Sequence, residues 1–295
     1  MSFSKKILSA TITLGTGNFG DTPGGANDSV NVQGLRISAQ IQKTGAVQGD
    51  SATIKIWGLT ESVLNQVSQL GKPLPYVRKN IISLSAGDSV AGVSEVFAGL
   101  ITAAYADFND PPNVCLNVTA IGNSLAYAVP VPPLSFPAGT DAVVIAQQIA
   151  QSMSKTLINW GVSGVQIASP YFAGTAGQQL DKWREATGLK AYTSEGQPLE
   201  IWPPTGSRGG TVPIIGPDTG LVGYPEFCDV GIQLRTQYVP GLNYGGQFQL
   251  NTSIVNAQGM WLIYTLSYDL ESENPVADAP WFADITANRL LSATP

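Results

Sequence analysis

The feature that most restricts the fold is a two-residue alternation of apolar and polar side chains, recurring in short runs. Leu35, Ile37, Ala39 and Ile41 alternate with Arg36, Ser38, Gln40 and Gln42; Ala52, Ile54 and Ile56 repeat the period, and Val114, Leu116, Val118 and Ala120 carry it again. Successive side chains of an extended chain point to opposite faces, so each run reads as a strand with one buried and one wet face. Such strands without long intervening helices predict an antiparallel barrel or sandwich. The 32 glycines and 20 prolines supply the many turns it requires.

The helical period is confined to a few places. Leu59, Val63, Val67 and Leu70 fall on one side of a short helix near 60–70, with Thr60 placed to cap it and Gly71 and Pro73 to stop it. The run VPVPP…P ending at Pro137 reads as a stiff linker, after which Thr140 opens a helix carrying Val144, Ile145, Ile149 and Met153. A strand-like Val162 to Ile167 follows. A second helix near Gln178 to Thr187 ends at Gly188, and Glu195-Gly196 then joins Lys190 to Ser194 with Pro198 to Trp202 in a hairpin. After the Pro/Gly-rich stretch PPTGSRGG come Ile232 to Val239, Gln247 to Leu250 and Trp261 to Leu270, strands again. The expectation is a β-rich α+β chain of three parts: a first β-barrel domain over 1–129, a linker and small α/β domain over 130–208, and a second β-barrel domain over 209–295.

Composition narrows the setting. Only 12% of the 295 residues are charged, about half the roughly 25% of an average soluble protein, while 43% are hydrophobic. Surface covered by neighbouring subunits accounts for such a deficit; a Ser/Thr/Asn/Gln-rich surface on a secreted β-protein is the plainer alternative. A net charge of -6 opposes tight binding to phosphates, which needs Lys and Arg. Cys115 and Cys228 are too few for a disulfide framework and have no metal-like spacing; a reduced cytoplasmic site of synthesis fits them, with one bridge between them left open. No run reaches the roughly 18 apolar residues of a membrane span. Lys5-Lys6 followed by Ile7 to Leu14 is interrupted by Ser9, Thr11 and Thr13 and reads as a first strand, not a signal peptide.

The chain contains no histidine, which removes the commonest general base, the usual Ser and Cys triads and the most frequent zinc ligand. The carboxylates that remain have plain readings. Asp107 and Asp110 belong to a turn around Asn109-Asp110-Pro111, and Asp181 and Glu185 lie on a helix face with Lys182 and Arg184. Asp269, Glu271 and Glu273 lack the glycine-centred loop of a calcium site. Gly15, Gly17 and Gly20 match a dinucleotide-binding pattern, but Asp21-Thr22-Pro23-Gly24-Gly25 continues the loop where a phosphate site needs a helix N-terminus. Glycosylation-type triplets at Asn27, Asn117 and Asn251 carry meaning only in a secretory context. Trp57, Trp160, Trp183, Trp202, Trp261 and Trp281 are dispersed, which favours packing over a carbohydrate cleft. No catalytic, cofactor-binding or metal-binding residue is assigned, and no cofactor.

The order of these segments resembles the baseplate hub proteins of tailed bacteriophages and related contractile injection machines, over nearly the whole chain. IKIWGLTESVLNQV, with Trp57, Gly58 and Leu59, is similar to the family's strand leading into a short helix, and VFAGLI, with Phe97 and Gly99, to its phenylalanine-glycine strand. QQLDKWREATGLKAYTSEGQPLEIWPPTG resembles its helix, glycine stop and hairpin. Pro225, Gly231, Pro240 and Gly245 in GLVGYPEFCDVGIQLRTQYVPGLNYGGQFQL match its last-barrel turns, and GMWLIYTLSYDLE, with Trp261, resembles its closing strand. Tyr268 stands where many relatives have a histidine, and the loop from Gly15 to Gly25 is longer than expected. The resemblance implies a structural, non-enzymatic subunit of the virion tail, assembled in the host cytoplasm. It implies a homotrimer with two similar barrels per copy, which joins a sixfold tube to a threefold spike and contacts tube, spike and other baseplate proteins. DNA would pass its channel, which is expected to be acidic, without specific binding, and the chain would not insert into membrane. Alternatives are a distal tail or tube subunit, a carboxylate-dependent enzyme cleaving carbohydrate or peptidoglycan, and a receptor-binding lectin.

Overall fold

The computed structural model describes residues 4–20, 25–26, 28–45, 49–68, 79–275 and 279–289. The first segment contains β1 (Lys6–Thr13), β2 (Gly25–Ala26), β3 (Ser29–Val32), β4 (Ile37–Lys43), β5 (Ser51–Trp57), α1 (Glu61–Val67), β6 (Ile81–Asp88), β7 (Gly92–Asp107) and β8 (Cys115–Ile121). The alternation predicted for β4, β5 and β8 is observed: Ile37, Ala39, Ile41, Ile54, Ile56, Leu116 and Val118 are buried, and their polar neighbours face outward. α1 buries Val63, Leu64 and Val67; the Thr60 side chain makes no capping bond, and Leu70, Gly71 and Pro73 lie outside the described residues. The glycine loop is pinned by Phe19, only 2% exposed, and no helix follows it among the described residues.

The middle segment contains α2 (Ser124–Ala128), β9 (Pro130–Ser135), β10 (Thr140–Asp141), α3 (Ala142–Ser152), β11 (Leu157–Asn159), β12 (Gln166–Ile167), β13 (Tyr171–Thr175), α4 (Ala176–Thr187), β14 (Lys190–Tyr192) and β15 (Leu199–Trp202). The proline run is not a free linker: β9 pairs with β13 in a two-stranded ladder, and proline is tolerated where a strand has a neighbour on one side only. α3 is capped by Asp141, whose Oδ1 accepts from the Val143 amide at 2.8 Å, not by Thr140, whose hydroxyl donates to the Pro137 carbonyl. Its buried face is Ala142, Ile145, Ala146, Ile149 and Ala150, and Val144 points out, 49% exposed. Of the strand expected from Val162 to Ile167 only β12 forms. α4 begins in a capping box between Thr175 and Gln178 and stops at Gly188, whose φ of 69° is the left-handed conformation that favours glycine. Trp183, fully buried, donates from Nε1 to the Ala142 carbonyl at 2.9 Å and locks α4 onto α3. The expected hairpin is β14–β15.

The last segment contains β16 (Ile214–Ile215), β17 (Leu221–Cys228), β18 (Gly231–Gln237), β19 (Gln247–Leu250), β20 (Gly259–Ser272) and β21 (Trp281–Asn288). These strands do not form a sheet of their own. β20 pairs with β21 on one side and with β4 on the other, so one sheet runs β17-β18-β21-β20-β4-β5-β8-β7-β6-β1-β3-β2, with β19 bonded to β20 and β16. No closed barrel forms among the described residues. One apolar core serves the first and last segments together, from Leu8 to Ala287, while a second, around Ile145, Leu180, Trp183 and Leu199, belongs to the middle segment.

A candidate assembly face and the polar junction behind it

Eight neighbouring strands carry the site: four from the last segment (β17, β18, β21, β20) and four from the first (β4, β5, β8, β7). Antiparallel partners share a face, so the register fixes what each face presents. One outward row reads Arg235, Asp284, Ser267, Gln42, Ser51, Ile121 from β18 to β8. The row beside it reads Gln237, Phe282, Asp269, Gln40, Thr53, Thr119. All of these side chains are exposed or half-buried. Arg235 grips Asp284 through two bonds, Nε to Oδ1 at 2.7 Å and Nη2 to Oδ2 at 2.8 Å. The ladders β20–β4, β4–β5 and β5–β8 contain no register shift, so the centre of the face is regular.

On the other side of the same strands two charges break the apolar phase. Lys43 follows Ile37, Ala39 and Ile41 inward, and Asp50 precedes Ala52, Ile54 and Ile56; they are 7% and 1% exposed. With Tyr192 and Glu200 from the hairpin, and with Arg208 and Trp160, they line a cavity of about 390 Å³. The Tyr192 hydroxyl donates to Asp50 Oδ2. Arg208 binds both oxygens of Glu200, donates from Nη1 to the Tyr244 carbonyl at 3.0 Å, and stacks its guanidinium 4.4 Å over the Tyr192 ring. Trp160 Nε1 donates to Glu200 Oε2 at 2.6 Å. Burial pushes the Lys43 amine down against the opposing pull of Asp50, and pushes the Asp50 carboxyl up against Lys43 and the Tyr192 bond. Nearby, Lys155 Nζ donates to Thr193 Oγ1 at 2.8 Å and to the Ser194 carbonyl at 2.7 Å, and burial lowers its pKa from 10.5 to about 8. Ser194 Oγ in turn donates to the Ala98 carbonyl of β7 at 3.1 Å. The Tyr244 ring, its centre 5.7 Å from that of Tyr192, adds the last segment, so all three segments meet here, which suits a structural weld between sheet and α/β unit.

The signature residues do not form one site. Trp57 ends β5 under the Arg36 guanidinium, 4.3 Å from its ring centre; Gly58 has φ 80° and Leu59 packs on the core. Phe97 is buried in β7, and a Cβ at Gly99 would lie 2.6 Å from its ring. Pro225 is buried within β17, where the pairing to β18 shifts register, and Pro240 lies exposed in the turn beyond β18. Gly231 and Trp261 are neighbours, and a Cβ at Gly231 would meet the Ala287 carbonyl at 2.4 Å. Gly245 packs under Trp202.

The candidate carboxylates are scattered. Asp107 accepts from Asn109 and Asp110 from Asn113, both within their exposed turn. Glu271 pairs with Arg36 and Glu273 with Lys5, while Asp269, two residues from Glu271 along β20, shares neither partner. Among the described residues no three His, Cys, Asp or Glu side chains could share a metal ion, and no helix is long and apolar enough to cross a membrane. Cys115 is buried, Cys228 is exposed, and both are free. None of the tryptophans is fully exposed.

A family model described as baseplate hub gp41 matches residues 7–282. The chain belongs to the baseplate hub gp41 family. That membership places it among structural proteins of the bacteriophage tail baseplate. Its fold is similar to a tail protein from Neisseria meningitidis MC58, with a TM-score of 0.61 at 8% identity over 95% of this chain and 96% of that one. It is equally similar to the 43 kDa tail protein of prophage MuSo2 from Shewanella oneidensis, TM-score 0.61 at 10% identity over 97% of each chain. A chain of the Francisella PdpA-VgrG complex aligns with 99% of this chain and 59% of its own length, TM-score 0.55 at 8% identity. Among curated proteins, none matches the chain in sequence.

Proposed function

We propose that the chain is the hub subunit of a tail baseplate, three copies of which form a ring that joins a sixfold tail tube to a threefold central spike and leaves a channel for the genome. The observation that carries this reading is the seam at β20–β4, where the strands of the last segment join those of the first in one antiparallel sheet. Taking the four strands on each side of the seam as one unit, two units per chain make six in a trimer, which is the number a sixfold tube needs opposite it. In this reading residues 1–129 and 209–295 are the two barrel-like halves, 130–208 braces them from behind, and the signature glycines and prolines shape turns (Gly58, Pro240, Gly245) or strands (Gly99, Pro225, Gly231). Tube, spike and other baseplate proteins are the partners, the virion tail is the location after assembly in the host cytoplasm, and no residue is catalytic.

The test is the purified protein's mass and image. A particle of three times 31.0 kDa, with a central hole and six similar units around it, is expected. A ring of six copies would transfer the chain to the tube or distal-tail class, and a persistent monomer at high concentration would overturn the hub reading.

A further inference from the structure

Resting on the hub reading, we propose that the outward face of these eight strands is the channel wall, and that it passes duplex DNA by presenting a neutral, hydrogen-bonding surface instead of an acidic one. The central positions of the face, on β20, β4, β5 and β8, are Ser267, Gln42, Ser51 and Ile121 in one row and Asp269, Gln40, Thr53 and Thr119 in the next. Of these, Asp269 alone carries a charge, and Arg235 acts on it from the side. Arg235 itself is held in both bonds by Asp284, while Lys55 and Glu271 sit one row further along, Glu271 in turn held by Arg36. The excess of acid that gives the chain its charge of -6 therefore lies elsewhere.

A moving polyanion is retained by lysine and arginine, because each phosphate they neutralise releases a counterion. It is repelled by carboxylates over about one Debye length, roughly 8 Å at physiological salt. Serine, threonine and glutamine offer donors and acceptors together, so they replace the water on passing phosphates without favouring any position. The short Ser51, Thr53 and Thr119 side chains cannot reach out to clamp a groove. Ile121 and Phe282 are half-buried, so the two central rows lack the projecting aromatic platforms that hold single strands; the exposed Tyr105 stands one row along, on β7 at the margin.

Gln40→Lys and Thr53→Lys test this, since both positions are exposed and neither side chain enters the core. An unchanged melting temperature establishes that the variants fold. With three introduced lysines per ring, duplex retention by the assembled ring is expected to appear and then to fall roughly fortyfold between 50 and 200 mM salt, as three phosphate contacts at about 0.9 counterion each require. Particles carrying the variants should release their genome more slowly, with recovery as salt rises. Rings of either variant that retain no more duplex than wild type, or an image in which another surface walls the channel, would overturn this inference and leave the hub intact. The absence of any ring would instead remove the reading on which it rests.

Discussion

Lys43 and Asp50 are the residues at which local sequence and tertiary position disagree most. Each occupies a position whose phase calls for an apolar side chain, and each is buried where an ion is costly. The two influence each other through space without an ion pair, each opposing the shift that burial imposes on the other, so Lys43→Met and Asp50→Asn are each expected to change stability measurably in chemical denaturation. The double variant Lys43→Met with Asp50→Asn should differ from the sum of the single changes; strict additivity would show that the two charges are not coupled. Lys155 adds a dependence on pH. Its folded pKa of about 8 lies below the ordinary 10.5, so between these values the unfolded chain holds a proton that the folded chain has released. Stability from this group therefore rises with pH across that window, and the cost is fully present below pH 8. Denaturation curves from pH 7 to 10.5 should show a smaller rise in Lys155→Met than in wild type, the part that remains coming from groups such as the buried Lys43.

The elements differ in how plainly the sequence declares them. β4, β5 and β8 were legible because alternation is local and each strand has one wet face. α4 was legible through its glycine stop and its amphipathic face, though its start lies two residues before Gln178, at a capping box that only the Thr175–Gln178 spacing signals. Thr175→Ala should cost about 1 kcal/mol in thermal or chemical unfolding. β9 does not read as a strand because prolines argue for a linker unless a partner such as β13 is known, and the covered side of α3, from which Val144 points away, is not declared by a helix of mostly apolar residues. The polar junction was not assembled from sequence, since Lys43, Asp50, Tyr192, Glu200 and Arg208 come from distant positions. Its trace was nonetheless present: a lysine and an aspartate in the inward phase of their strands.

At the scale of the whole molecule, the pairing of β20 with β4 joins residues more than two hundred positions apart, and no periodicity reports a contact at that range. It turned two expected barrels into one continuous, open sheet with a shared core. The same seam has a consequence for how the chain is made. Synthesis delivers the first segment long before β20 exists, so during translation β4 has a free edge and an apolar underside awaiting its cover. Completion of the sheet is therefore a late, high-contact-order step, and the nascent first half is the stage most exposed to mispairing with other chains on the same polysome.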